Sequence, residues 1–139
     1  MSKKKHQKKF KIPQKNTKHF QPDKSITDPD LLKPTFSFHH MKYGSPNCAS
    51  ICNHTVKASI TDRLVRLSQL PWNKIKNEPK ERLGFEIIPR KQVKFALPTI
   101  VTPEVPLLVF RLSQSDRIAG FRERDIYHLI AVGPDHTLY

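Results

Sequence analysis

Residues 106–139, PLLVFRLSQSDRIAGFRERDIYHLIAVGPDHTLY, decide the fold, because three runs of β-type residues follow one another there between short polar segments. Ser113-Gln114-Ser115 is turn-like, residues 122–125 form a charged tip, and Gly133-Pro134-Asp135 ends the last run. The pattern predicts a three-stranded antiparallel meander with strands at residues 107–112, 117–121 and 126–132.

The third predicted strand is apolar on both sides. Successive side chains of a strand point to opposite faces, yet Ile130 and Val132 on one side and Leu129 and Ala131 on the other are all apolar. A strand of this kind lies in the middle of a sheet and is covered on both faces. The sequence therefore predicts a helical layer over the meander.

Hydrophobic spacing predicts further elements upstream. Residues 35–40 alternate, with Phe36 and Phe38 on one side, which predicts the first strand. Between residues 55 and 70 the apolar positions recur every three or four residues and predict one long helix, with the stripe Val56, Ile60, Leu64 and Leu67. The remaining predictions are a short helix at residues 72–77, a strand at 83–88 and an irregular connection at 93–104.

The order of these elements predicts one α+β domain over residues 35–139. One long and one short helix would pack on an antiparallel sheet made of the meander and one or two short strands. Residues 1–34 are rich in lysine, poor in apolar side chains and without periodicity. Because they cannot bury enough surface to offset the entropy of ordering, they are predicted to form a disordered basic arm.

The charge of the chain predicts an anionic partner. The formal net charge is +13 over 139 residues. Residues 1–34 hold ten lysines and three aspartates, and the rest of the chain holds fifteen cations and nine acids, so both parts are basic. Nucleic acid is the partner predicted from this charge. A solubilising tail is the alternative interpretation of the arm.

The N-terminus and the cysteines bear on the compartment. No apolar run is long enough to span a membrane, and the lysine-rich N-terminus lacks the apolar segment of a secretory signal, so no membrane partner is expected. The two cysteines, Cys48 and Cys52, make no disulfide framework, which favours the reducing cytoplasm.

A zinc site is the competing interpretation of the two cysteines, since His54 follows them and His39-His40 precedes them. Their spacing of four, without a second cysteine pair, is explained equally well by two small hydrophobic side chains at the start of a helix. No metal is therefore assigned.

Arginine, histidine, aspartate and tyrosine are concentrated on and around the meander. The sequence has no phosphate-binding loop, dinucleotide fingerprint or hydrolase motif, and nothing in it requires a cofactor. Metal-free RNA cleavage needs a base for the 2′-hydroxyl, an acid for the leaving 5′-oxygen and cations for the charge that develops on the phosphate. Residues of the right types are Arg111, Arg117, Arg122, Arg124, His128, Asp135, His136 and Tyr139.

Residues 117–121, the charged tip, residues 126–132 and the pair Asp135-His136 resemble the C-terminal hairpin of RelE/HigB-type toxins. These toxins are small ribosome-dependent mRNA endonucleases with an α+β fold. The resemblance implies an endoribonuclease with Arg117, Asp135 and His136 as candidate catalytic residues. It also implies RNA rather than DNA as the nucleic acid, with the ribosome and an antitoxin as candidate partners. The chain is also similar to uncharacterised small proteins of bacteria and mobile elements that end in a D-x-x-H-x-L-Y-like segment.

Three functions fit these residues. The first is mRNA cleavage, with His136 as acid or base, Arg117 and Arg122 on the phosphate, and Tyr139 or Asp135 assisting. The second is binding of nucleic acid or ribosomes without cleavage, and the third is a protein–protein interaction module. The predicted nucleic-acid contacts are Lys3, Lys4, Lys5, Lys8, Lys9, Lys11, Arg111 and Arg124.

Structural roles compete with these catalytic ones. Arg117 and Arg122 are equally expected as ordinary charges on a strand surface. His128 lies within an apolar strand, which is typical of a packed histidine, and Tyr139 is also placed to anchor the C-terminus.

Overall fold

A computed structural model describes residues 28–139 and shows a five-stranded sheet in the order β1-β5-β4-β3-β2. The strands are β1 (Thr35–Ser37), β2 (Phe85–Ile88), β3 (Leu107–Arg111), β4 (Asp116–Glu123) and β5 (Ile126–Pro134). The helices are α1 (His54–Leu67), α2 (Trp72–Asn77) and α3 (Asp135–Leu138). The predicted α+β class and the antiparallel meander β3-β4-β5 are confirmed. None of the helices in this described part is long and apolar enough to cross a membrane.

A register shift interrupts the pairing of β4 with β5. Ala119 pairs with Ala131 but Gly120 pairs with Leu129, so Ile130 is an extra residue on β5. A bulge of this kind disturbs the alternation of side chains, and Ile130 and Ala131 both pack in the same buried cluster. Simple alternation therefore does not assign the faces of this strand.

Helix α1 begins after Asn53, whose Oδ1 accepts a hydrogen bond from the backbone N–H of Val56 at 2.9 Å. This cap satisfies one of the N–H groups that the first turn leaves unpaired. The helix ends at Leu67, earlier than the predicted end at residue 70, because Leu70 N donates to Leu67 O in a tighter turn and Pro71 cannot continue the helix. The short helix α2 has the predicted bounds.

Each face of the sheet is covered. On the face under α1 and α2, called the helix face, Trp72, Phe110 and Tyr127 are the largest buried side chains. The opposite face, called the second face, is covered by Leu138 of α3 and by the irregular connection between β2 and β3. The connection contributes the partly buried side chains Val93, Phe95, Leu97 and Val105. The predicted helical layer thus covers one face, while mainly irregular chain covers the other.

The first strand is shorter than predicted and runs parallel to its neighbour. β1 pairs in parallel with β5, with Phe36 opposite Tyr127. The strand ends at Ser37 because the Ser37 Oγ accepts from His39 N at 3.1 Å and the chain then turns. Phe36 packs on the helix-face core, whereas Phe38 is 48% exposed, so the two do not share a buried face as predicted.

The ordered domain begins earlier than the predicted boundary at residue 35. Pro29–Leu31 form a 3-10 turn in which Asp30 lies 2.8 Å from Lys76 Nζ and 2.6 Å from Arg122 Nη2. Leu32 O accepts a hydrogen bond from Trp72 N at 3.0 Å. These contacts with distant parts of the chain help to offset the entropy of ordering the segment. The rest of the predicted arm, residues 1–27, lies outside the described residues.

Candidate functional site

Arg117 is buried and bound to the turn between β3 and β4. Its side chain is 6% exposed. The Nη1 group donates to Ser113 O and Asp116 O, both at 2.9 Å, and Nη2 donates to Gln114 O at 3.2 Å. Because backbone carbonyls already occupy these donors, the guanidinium holds the turn and offers little to a phosphate.

Asp135 connects Arg117 with His136. Asp135 Oδ2 lies 3.8 Å from Arg117 Nη2, and Asp135 Oδ1 lies 3.8 Å from His136 Nδ1. The start of α3 is held to the sheet by Asp135 N, which donates to Ser115 O at 2.9 Å. The structure therefore brings these three sequence-predicted residues together. The His136 side chain is 78% exposed, so water surrounds it and no closed site forms around the imidazole.

Tyr139 donates its phenolic hydrogen to Glu86 Oε1 at 3.1 Å, across α3 and β2. Burial and the Glu86 carboxylate raise the pKa of Tyr139, with Arg117 opposing them. The phenol therefore stays protonated at neutral pH and is not a base. Its hydrogen bond ties the chain end to the sheet edge, which supports the anchoring interpretation.

Arg122 lies apart from this group, on the helix face. Its Nη2 is 2.6 Å from Asp30 Oδ1 and its guanidinium carbon is 4.4 Å from the centre of a Trp72 ring. Arg117 and Arg122 are five positions apart on β4, a separation of about 17 Å on opposite faces of the sheet. One phosphate cannot contact both, so the structure does not assemble the predicted arginine pair.

The two predicted nucleic-acid contacts that the structure describes, Arg111 and Arg124, lie apart. Arg111 stands opposite Arg117 in the β3–β4 register, and its Nε is buried without a hydrogen-bond partner in the described residues. Arg124 is exposed at the hairpin tip, where its φ of 56° is left-handed. The other predicted contacts, Lys3, Lys4, Lys5, Lys8, Lys9 and Lys11, lie outside the described residues.

A group of histidines on the second face was not predicted as a unit. His128 is 6% exposed, stacks on Phe121 at 4.7 Å between ring centres, and places Nε2 3.2 Å from Glu123 Oε1. His40 lies against both rings, 5.0 Å from His128 and 5.5 Å from Phe121. Burial, helped by His128 and His39, lowers the pKa of His40. This packing supports the interpretation of His128 as a structural histidine.

The two cysteines are free thiols at a 3-10 turn before α1. Cys48 Sγ lies 2.9 Å from Ser50 Oγ, and this hydrogen bonding lowers the pKa of Cys48 against the opposing effect of burial. Burial and the neighbouring Cys48 raise the pKa of Cys52. Within residues 28–139, no three histidine, cysteine or acidic side chains are grouped as a metal site would require.

A cleft of about 260 Å³ opens on the second face beside the histidines. Its walls come from the loop after β1, from the irregular connection and from β5. Its lining includes His40, Lys42, Asn47, Phe95, Leu97 and Ile130. Sequence patterns did not reveal this cleft, because its walls meet only through the tertiary fold. The one available signal is the absence of acidic residues from 31–61 and 87–103, the segments that supply two of the walls.

The chain matches no protein-family model, no curated protein and no solved structure. The resemblance of its C-terminal hairpin to RelE/HigB-type toxins therefore stays a prediction. Charge, burial and geometry remain as the grounds for assigning a function.

Proposed function

We propose that the protein binds RNA through phosphate contacts and does not cut it. The observation that carries this proposal is the distribution of charge. Residues 1–27 hold nine lysines and one aspartate, a formal charge of +8, out of the +13 of the whole chain. A lysine-rich segment of this kind neutralises phosphates without reading bases.

The charges of the domain support the same proposal. The segments that wall the cleft on the second face, residues 38–48 and 87–103, carry four cations and no carboxylate. Lys91 and Lys94 are exposed on the connection, where Lys94 Nζ also donates to His136 O at 3.0 Å, and Lys42 lines the cleft. The helices carry exposed lysines too, but carboxylates lie among them, with Asp62 on α1 and Asp30 beside α2. We therefore assign the phosphate chain to the second face.

Neutralising the arm is expected to weaken RNA binding strongly. In the full-length protein, Lys3, Lys4, Lys5, Lys8, Lys9 and Lys11 would be changed to Gln. Log affinity falls with log salt concentration, and each phosphate contact on a single strand adds about 0.7 to the steepness of that fall. Six lost contacts therefore make the salt dependence shallower by up to about 4. Fluorescence anisotropy of a labelled RNA, titrated over a range of salt concentrations, measures both the affinity and the slope.

Surface lysines of the two faces provide matched controls. The double variant Lys91→Gln/Lys94→Gln should lower the slope by about 1 to 1.5, whereas Lys57→Gln/Lys74→Gln on the helices should leave it unchanged. Equal effects of the two pairs would contradict the assignment of the second face. Absence of RNA binding even at low salt would overturn the proposal and favour the interaction module.

A metal-free endoribonuclease of the RelE/HigB type is the second candidate, with the ribosome and an antitoxin as its partners. It is favoured by the row Arg117, Asp135 and His136, in which successive groups lie 3.8 Å apart. Three observations weigh against it. The Arg117 guanidinium is already bound to carbonyls of the turn, Tyr139 stays protonated, and His136 is exposed.

For either candidate we propose the cytoplasm as the location, which suits the free thiols of Cys48 and Cys52.

Incubation of the purified protein with translated and with untranslated RNA separates the two candidates. The expected result is intact RNA in both mixtures, because Arg117 is bound to turn carbonyls, Tyr139 stays protonated and His136 is exposed to water. The His136→Ala variant should then bind RNA as the parent protein does. Cleavage that disappears in His136→Ala would replace the binding proposal with the nuclease.

A further inference from the structure

We infer that the cleft on the second face holds one unstacked base of a single-stranded nucleic acid. This inference rests on the proposed function and adds the class of nucleic acid and the place where it is recognised. The arm would supply affinity for any phosphate chain, while the cleft would make the protein prefer strands whose bases are free.

The size of the cleft fits a ligand as small as a base. Pockets for drug-sized molecules usually measure about 300–1,000 Å³. The cleft measures about 260 Å³, just below that range, and it is open to solvent on one side. A nucleic-acid base fits both the small volume and the open side, because its flat ring system can enter the cleft while the sugar-phosphate backbone stays in solvent.

The floor of the cleft is apolar and partly aromatic. Phe95 and Leu97 of the connection line it from one side, and Ile130 of β5 lines it from the other. Phe95 and Leu97 pack on the second-face cluster, and Ile130 is 5% exposed, so the floor is held by the core. Aromatic rings on a fixed surface bind successive bases by stacking, with little dependence on sequence.

The rim of the cleft is polar and basic. Lys42 stands there with an exposed ammonium group, and His40 and Asn47 add hydrogen-bonding groups. The loop that carries them is fixed on the sheet by Val132 N, which donates to Asn47 O at 2.8 Å. Within residues 28–139, no carboxylate lines the cleft. A base on the floor would therefore leave its phosphate near a cation.

Two other clefts lack this combination. The one lined by Phe85, Ile87 and Leu108 is also apolar and has Arg124 on its wall, but the Asp30 carboxylate lines it as well and would repel a phosphate. The one lined by Phe38, Met41 and Tyr43 has no charged side chain among residues 28–139. A duplex is equally excluded from the proposed site, since its bases are stacked and paired and would have to be extruded first.

The test uses the full-length protein and a single-stranded RNA of about 12 nucleotides that carries 2-aminopurine near its centre. Anisotropy reports total binding, and 2-aminopurine fluorescence reports the surroundings of the base. We expect fluorescence to change on binding and the single strand to bind about tenfold tighter than a duplex of equal length. In Phe95→Leu, which keeps an apolar side chain, both the fluorescence change and the preference should largely disappear.

Lys42→Gln provides a second variant on an exposed side chain, so loss of folding does not confuse the result. It should reduce the preference for single strands, whereas Lys57→Gln on α1 should not. Two results would overturn base binding in the cleft while leaving the proposed RNA binding intact. One is binding measured by anisotropy without a change in 2-aminopurine fluorescence, and the other is an equal preference for single strands in the parent protein and Phe95→Leu. No anisotropy signal even at low salt would overturn both.

Discussion

Trp72→Ala is expected to lower the free energy of unfolding by about 3–5 kcal/mol, the usual loss for a large aromatic side chain in a core. Trp72 is fully buried at the start of α2. Its Nε1 donates to Asp125 O at 2.9 Å, and its ring lies under the Arg122 guanidinium at 4.4 Å. The substitution therefore removes core volume, a buried hydrogen bond and the aromatic partner of Arg122.

Chemical denaturation followed by circular dichroism measures this loss. Trp72→Phe is the matched control, because it keeps an aromatic side chain but removes the indole N–H. It should cost less than Trp72→Ala and more than about 1 kcal/mol, since it removes the indole hydrogen bond and some core volume, while the Asp125 carbonyl still accepts from Thr35 N at 3.1 Å. A loss below about 1 kcal/mol for Trp72→Ala would show that α2 is not part of the cooperative core.

Gly120→Ala is expected to destabilise the protein by about 3 kcal/mol or more, because the position has no room for a side chain. A Cβ atom there would collide with the backbone oxygen of His128 and would lie 3.0 Å from the Tyr127 ring. The colliding atom belongs to the neighbouring strand of the sheet, so no side-chain rotation relieves the contact. The register shift beside Gly120 would have to change instead.

Gly44→Ala separates lack of space from backbone strain. Gly44 has a φ of 77°, yet a Cβ atom there meets nothing within 4 Å. Its substitution should cost only about 1 kcal/mol, from the left-handed backbone alone. Thermal unfolding of both variants, compared with the parent protein, gives the difference. Equal losses would mean that the sheet accommodates a side chain at Gly120.

The elements that sequence patterns predicted are those whose cause is local. The meander follows from alternating runs between turn residues, and α1 follows from an apolar stripe with Asn53 at its start. The ordering of residues 28–34 could not be predicted this way, because it depends on Asp30 meeting two cations from α2 and β4. The parallel placement of β1 likewise depends on where the whole chain returns.

The same distinction holds for the candidate site. Asp135 and His136 are neighbours in sequence, and Arg117 reaches them because β4 and β5 are paired. Arg122 was predicted in the charged tip, but β4 extends to Glu123, so the two arginines lie an odd number of positions apart on one strand and therefore on opposite faces. The base-sized cleft could not be predicted, because a loop, a connection and a strand build it together.

The extra residue on β5 also sets how this protein tolerates changes of length. Tyr127 and Leu129 pack on the helix face before the bulge, and Val132 packs on the same face after it. Deleting Ile130 would remove the bulge and leave regular alternation, with Tyr127, Leu129 and Val132 still on the helix face and His128 and Ala131 still on the second face. Inserting a residue into a regularly paired part of β5 would instead carry the side chains on one side of it to the wrong face. Natural variants of this chain should therefore differ in length in the irregular connection between β2 and β3, while β5 changes only by loss of the bulge residue.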